Sequence, residues 1–427
     1  MTDSPSIHAS PAVPRPGYKL TKLGWIPEEW EVKRLDQVAE IQTGIQKGAK
    51  KTGKTIQLPY LRVANVQDGY LDLREIKTID VPAEKAERYS LQVGDVLMTE
   101  GGDFDKLGRG TIWKGEIPKC VHQNHIFAVR PDPNQVLPYY LASYSGSPRG
   151  KQYFIASSKQ STNLASINST QLKAFPLPLP PLAEQRKIAA ILSTWDRAIG
   201  QTEALLAQLR QRNRGLAQQL LTGERRVAGF EGAWKEVRLG EVFSERKETG
   251  FEGLPLVSIT GDRGVIWRDE LDKKDSSSED KSKYLRICPG DIGYNTMRMW
   301  QGRSAVSDRE GIVSPAYTVL TPTDRVDADF MGRLFQHPRM IHNFFRYSQG
   351  LVNDTLNCKY PHFAKVQTRI PPLPEQQAIA RILQAADAEV AAQEARLTAL
   401  REQKRGLMQG LLTGAVRVGV ELISSLL

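Results

Sequence analysis

Three stretches of this 427-residue chain carry side chains whose types and spacing could do chemistry. Gly48-Ala49-Lys50-Lys51-Thr52-Gly53-Lys54-Thr55 matches the phosphate-loop pattern GxxxxGK[ST] letter for letter. Such a loop cradles phosphate when a buried strand leads in and a helix leads out. Here Leu35 to Gln42 reads as an amphipathic turn or short helix, and Pro59 follows too soon for a helix to run. The stretch therefore reads as a flexible basic loop able to touch phosphate. His122 and His125 have no third ligand at metal spacing. With Gln123 and Asn124 they form a cluster suited to base edges, since Asn and Gln pair with adenine. The third stretch, Asn295 to Arg303, is polar, basic and aromatic at once, and offers Asn295 and Arg298 to bases and Arg303 to phosphate. No nucleophile–histidine–acid set and no N/D-P-P-Y/F motif occurs, which favours a binding chain over an enzyme.

The elements that must position these groups come in pairs. Pro181-Leu182-Ala183-Glu184-Gln185 recurs as Pro372-Leu373-Pro374-Glu375-Gln376, and Leu221-Thr222-Gly223 as Leu412-Thr413-Gly414, both 191 residues on. A constant spacing leaves no insertion within the block, as a rigid helix requires. A second repeat opens each half, W-E-V-K-R-L from Trp30 and W-K-E-V-R-L from Trp234. Between openings and helices the halves diverge, although Gly94-Asp95-Val96 and Gly290-Asp291-Ile292 correspond at a different offset. Two polar loops, Ser157 to Asn163 with Lys159, Gln160 and Asn163, and Ser348 to Asn353 with Gln349 and Asn353, precede the helices at matching positions and are further candidates to face nucleic acid.

Within the repeated blocks Ile188, Leu192, Trp195, Ile199, Thr202, Leu206, Leu209, Asn213, Leu216 and Leu220 follow 4,3 spacing. Ile379, Leu383, Ala386, Val390, Gln393, Leu397, Leu400, Lys404, Leu407 and Leu411 do the same. Such a seam predicts two coiled-coil helices, with polar seam positions fixing register. Prolines enforce an extended entry to each, and Gly223 and Gly414 are expected left-handed caps. A helix with one apolar stripe needs a partner, and the matching seam of its own repeat supplies one, so the pair is expected to be antiparallel. Globular domains held apart by such a rod would reach successive major grooves of B-DNA, about 34 to 36 Å apart.

Composition is ordinary for a globular protein and the balance is basic, 58 Lys+Arg against 48 Asp+Glu, which favours a polyanionic partner. Three scattered cysteines, Cys120, Cys288 and Cys358, argue against zinc of the usual spacing and against a disulfide framework, and the chain reads as intracellular. No apolar run reaches membrane-spanning length and no signal-peptide pattern opens the chain.

The doubled P-L-x-E-Q entry, I-A-x-I-L start and L-L-T-G end resemble the conserved regions of type I restriction-modification specificity subunits. Gly94 to Asp103, continuing through Lys106-Leu107-Gly108-Arg109-Gly110 to His122-Gln123-Asn124-His125, resembles one type of first recognition domain in that family, and Ile312 to Tyr317 a recurrent motif of these domains. On that resemblance Thr99, Lys106, Arg109 and Tyr317 join the candidate DNA-binding residues. The expected fold is mixed α/β (α+β): two DNA target-recognition domains in pseudo-twofold tandem repeat, separated by two long antiparallel coiled-coil helices. The expected divisions are 1–22 disordered tail, 23–180 first recognition domain, 181–224 central helix, 225–370 second recognition domain, 371–415 distal helix and 416–427 tail. The resemblance implies a non-catalytic, cytoplasmic, prokaryotic subunit that binds a bipartite site on double-stranded DNA. It implies assembly with two methyltransferase subunits and with restriction subunits. S-adenosylmethionine, ATP and Mg would belong to those partners and no cofactor to this chain. The alternatives are a nucleotide-dependent enzyme built on Gly48 to Thr55 and a coiled-coil adaptor without DNA sequence specificity.

Overall fold

The computed structural model describes residues 15–46, 53–102, 107–108, 110–160, 165–261, 263–271, 278–352 and 355–419. The chain is mixed α/β and divides into two compact units, residues 1–202 with 396–427, and residues 203–395. Each unit holds one globular domain and a portion of both long helices.

The first domain is built on a four-stranded antiparallel sheet in the order Ala39–Thr43, Ile126–Pro131, Val96–Thr99, Gly110–Ile112. All four residues of Val96–Thr99 are buried, so this central strand is covered on both faces and reads as a continuous apolar run. Helices Pro138–Ser145 and Pro148–Ser157 pack beside it, with Tyr140, Tyr144, Phe154 and Phe175 in the core. A smaller sheet joins Val121–His122, Thr55–Leu61 and Lys77–Pro82. Glu31–Arg34 pairs with Pro176–Leu179, an edge position that tolerates proline, immediately before the first long helix.

The second domain repeats this plan. Its sheet order is Phe243–Arg246, Tyr317–Pro322, Ile292–Asn295, Ser304–Val306. Helices Ala328–Phe335 and Pro338–Tyr347 follow, and Lys235–Arg238 pairs with Gln367–Ile370 before the second long helix. The corresponding Gly-Asp pairs do the same work in both. Asp95 is buried and bonded by Arg130 at 2.8 and 2.9 Å, and Asp291 is buried and bonded by Arg246 at 2.8 and 3.2 Å.

The long helices span Leu182–Thr222 and Leu373–Leu412. Gly223 and Gly414 follow them with φ of +76° and +71°, where a side chain would be strained. Every seam position named above is buried or half-buried; Ile188, Leu192, Leu206, Leu209, Ile379 and Leu383 are buried, while Trp195, Ile199, Val390, Leu397 and Leu400 are half-buried. In each unit the two helices run antiparallel. In the first, Glu184 meets Arg417 and Asp196 meets Lys404. In the second, Glu375 meets Arg226, Asn213 donates to the Ala386 carbonyl at 2.7 Å, and Glu394 meets Arg210. Among the described residues no helix is long and apolar enough to cross a membrane.

Three expectations are corrected. Residues 18–22 are not a disordered tail: Tyr18–Thr21 and Gly24–Pro27 form a hairpin, and the Tyr18 hydroxyl donates to the Gly414 carbonyl at 2.8 Å. Residues 416–419 are likewise not a free tail, since Val418 packs on the first core and Arg417 bonds both Glu184 and Glu29. Leu35 to Gln42 is a 3-10 turn, Leu35–Gln37, followed by a strand, and Thr55 opens another strand rather than a helix. Residues 48–52 of the phosphate-loop pattern lie outside the described residues.

Candidate nucleic-acid interface

In each domain the described candidate residues gather at one end of the four-stranded sheet. In the second domain Asn295 ends one central strand, Tyr317 begins its neighbour and Ser304 begins the edge strand, so three loops leave from the same rim. Thr296 accepts from the Cys358 amide at 2.8 Å and donates through its hydroxyl to the Ala316 carbonyl at 3.0 Å, which ties those loops together. The Gln349 and Asn357 backbones exchange two 2.8 Å bonds and close a hairpin on the same rim. Arg298, Arg303 and Gln349 are exposed, whereas Asn295 and Tyr317 are half-buried. The Asn295 side-chain oxygen accepts from the Met297 amide at 3.0 Å, so part of its capacity holds the turn. Tyr317 lines an open cleft with Ser258, Arg268, Lys283 and Tyr284. Asn353 lies outside the described residues.

The turn that presents Arg303 depends on Gly302. Its φ is +76°, and a Cβ there would lie 2.8 Å from Ile341 Cδ1 of the adjoining helix. Gly108 holds the matching place in the first domain, with φ +61° and its virtual Cβ 2.3 Å from the Phe154 ring. Gly108-Arg109-Gly110 and Gly302-Arg303-Ser304 thus enter equivalent edge strands. Lys106 and Arg109 themselves lie outside the described residues.

The first domain gathers a parallel set. The Glu100 amide bonds the His125 carbonyl at 2.9 Å, and Gly101–Gly102, Ala165–Ser166 and Lys159–Gln160 form a small antiparallel sheet beside it. His125 is exposed and its Nδ1 is bonded to Glu100, while Gln123 and Asn124 are half-buried. The Gln123 amide bonds the Leu61 carbonyl at 2.9 Å and the Asn124 amide the Ile45 carbonyl at 3.1 Å, which fixes this turn between two sheets. Lys159 is exposed; the Gln160 side chain and Asn163 lie outside the described residues.

Two candidates are removed from the surface. Thr99 is buried in the central strand, and His122 is wholly buried with neither ring nitrogen hydrogen-bonded. Burial lowers the His122 pKa to about 4, so the ring is neutral and inward. No group of three or more possible metal ligands occurs among the described residues.

Two buried pairs escaped the sequence reading. Glu184 and Glu375 are almost without solvent exposure. Arg417 bonds the first at 2.8 and 3.1 Å, and Arg226 the second at 2.6 and 2.7 Å. Both arginines stand just past the end of the opposite long helix, 191 residues apart, so the signal was present in the repeat spacing.

Comparison with known proteins gives one consistent answer. The family model for the type I restriction modification DNA specificity domain matches residues 27–211. The type I restriction enzyme MjaX specificity subunit of Methanocaldococcus jannaschii is 27% identical over 94% of this chain and 97% of its own length. The MjaVIII specificity subunit of the same organism is 22% identical over 92% and 94%. Among solved structures, a chain from a type I R-M system is similar at TM-score 0.58 and 18% identity, covering 92% of this chain and 99% of that one. The S subunit from M. genitalium is similar at TM-score 0.53 and 13% identity, covering 90% and 96%. These last two likenesses concern the fold.

Proposed function

We propose that the chain is a type I restriction-modification specificity subunit, and that each domain reads one half of a bipartite DNA target through the loops at its sheet rim. The observation that carries this reading is the convergence, at the corresponding rim of each sheet, of loops bearing exposed Arg298, Arg303 and Gln349 in one domain and exposed Lys159 and His125 beside half-buried Gln123 and Asn124 in the other. Arginine reads guanine edges and Asn or Gln adenine edges, while other cations hold phosphate and set register. The net surplus of basic residues supports the same partner.

The subunit contributes recognition and no chemistry of its own. It assembles with two methyltransferase subunits, which supply S-adenosylmethionine-dependent adenine methylation, and with restriction subunits that use ATP and Mg. The setting is a prokaryotic cytoplasm. The long helices, constant between the repeats, serve as the docking surface for those partners.

The test is genome-wide adenine methylation in a host carrying this chain with its methyltransferase, with and without an in-frame deletion. A split motif of two short half-sites that disappears with the deletion supports the reading. Methylation unchanged by the deletion, together with no sequence preference of the purified complex for DNA, leaves the adaptor alternative.

A further inference from the structure

The second domain exposes apolar side chains at the point where its polar reading groups converge. Leu351 is 101% exposed and Val352 61%, and the Val352 carbonyl accepts from the Thr355 amide at 2.9 Å. The hairpin below them is held by the paired Gln349 and Asn357 bonds and tied by Cys358 to Thr296, one residue from Met297. Met297 and Phe345 are also exposed, at 47% and 44%, and Phe345 stacks edge-on against Trp300. Residues 295–303 and 338–352 together carry Arg298, Arg303, Arg339 and Arg346 and no Asp or Glu.

An apolar tip among arginines suits a polyanion that also offers an apolar group. In the major groove of DNA that group is the thymine 5-methyl. A phosphate alone offers nothing to leucine or valine, whereas a DNA groove supplies negative charge and methyl groups together. The equivalent stretch of the first domain differs: aligning the helix caps Ser158 and Ser348 places Ser161 and Thr162 opposite Leu351 and Val352. Building on the DNA-reading role above, we propose that Leu351 and Val352 read thymine methyl groups in the half-site of the second domain.

The test pairs protein and DNA changes. The full chain with its methyltransferase partner is used to select a target from a randomised duplex pool. Each thymine of the selected half-sites is then replaced by uracil. For the wild-type chain, loss of one methyl in the second half-site should weaken binding roughly 4-fold, the worth of one buried carbon. Leu351→Ser/Val352→Ser should weaken binding by about tenfold and abolish that thymine–uracil difference, with no change in the first half-site. Leu351→Ala/Val352→Ala should fall between, and an unchanged melting temperature confirms that both variants fold. If wild-type binding ignores every uracil substitution, or the double variant keeps the difference, the proposal is overturned while DNA reading stands. Loss of the methyltransferase from the purified variant, with DNA selectivity retained, also overturns it and assigns the tip to a protein contact. A wild-type complex that selects no sequence overturns the DNA reading and this inference with it.

Discussion

His122 converts burial into a pH dependence that can be worked through. Its ring is fully enclosed, both nitrogens lack partners, and its pKa falls from 6.5 to about 4 through desolvation. Between those values the unfolded chain binds a proton that the folded chain refuses, so stability rises with pH across that window. The contribution is intact above pH 6.5 and declines as pH falls toward 4. The linkage amounts to about 3 kcal/mol in full and about 2 kcal/mol at pH 5. His122→Leu removes both the titration and two unsatisfied polar atoms, so at pH 7.5 the variant should match or exceed the wild type. The assay is urea unfolding at pH 7.5 and pH 5, followed by hydrogen exchange in peptides covering 121–131. The wild type should lose about 2 kcal/mol more than the variant on acidification. Subtracting one protein from the other cancels the carboxylates that both share. A flat difference would refute the account, as would loss of DNA selectivity in His122→Leu, because a buried neutral ring has no base to read.

Other substitutions test the rim and the buried ion pairs. Arg298→Ala should relax base preference at one position of the second half-site, whereas Arg303→Ala should weaken binding evenly across sequences and lower the salt slope by about one; binding titrations across salt separate the two. Gly302→Ala should weaken reading of the second half-site and lower the melting temperature, because both its +76° φ and the 2.8 Å approach to Ile341 oppose a methyl group. Arg226→Ala should lower the melting temperature more than Arg417→Ala in calorimetry. Glu184 retains a 3.0 Å bond from Trp30 Nε1 when Arg417 is lost, while Trp234 Nε1 has no hydrogen-bond partner.

The long helices were legible because a single periodicity governs them and nothing else competes. Three of the four polar seam positions resolve simply: Thr202 bonds back to the Ala198 carbonyl at 2.8 Å, Asn213 crosses to Ala386, and Lys404 meets Asp196, whereas Gln393 keeps its Oε1 buried without a hydrogen-bond partner. The domains were harder to read because their repeat survives in topology more than in letters. Residues 132–158 and 322–348 correspond at a spacing of 190, with Tyr140 standing where Phe330 stands and Leu141 where Met331 stands. Pro148-Arg149 and Pro338-Arg339, at two helix starts, are the one run of consecutive identities, beside the isolated matches Val136/Val326, Phe154/Phe344 and Ser158/Ser348. His122 was misassigned because a polar letter in a mixed segment carries no sign of which sheet covers it. Its strand Val121–His122 is enclosed by parallel pairing to Tyr60 and Leu61, a long-range contact with no local periodicity. The buried Asp95 and Asp291 show the same limit. Their arginine partners come from different strands in the two domains, Arg130 from Ile126–Pro131 and Arg246 from Phe243–Arg246, so no shared spacing announces them.

This contrast between constant helices and divergent domains has a structural basis within each domain. The strand Ile126–Pro131 begins at the candidate rim and leads to the segment gripped by the helix. Beyond its far end Gln185 accepts from the Leu137 amide at 2.9 Å and donates to the Gln135 and Pro180 carbonyls, both at 2.9 Å. Tyr317–Pro322 runs the same way. Past it Gln376 accepts from the Asp327 amide at 2.9 Å and donates to the Arg325 and Pro371 carbonyls at 3.2 and 2.8 Å. A six-residue strand separates the two ends by roughly 17 to 20 Å. At the helix end a buried amide satisfies three backbone groups and its neighbouring glutamate is buried against an arginine, so substitutions there leave polar groups unpaired at a cost of about 1 to 3 kcal/mol each. At the rim Arg298, Arg303, Gln349, Lys159 and His125 face solvent, and substitutions at such positions usually change stability by less than about 0.5 kcal/mol. One end is therefore held by the energetics of burial, and the other is free to change what it reads.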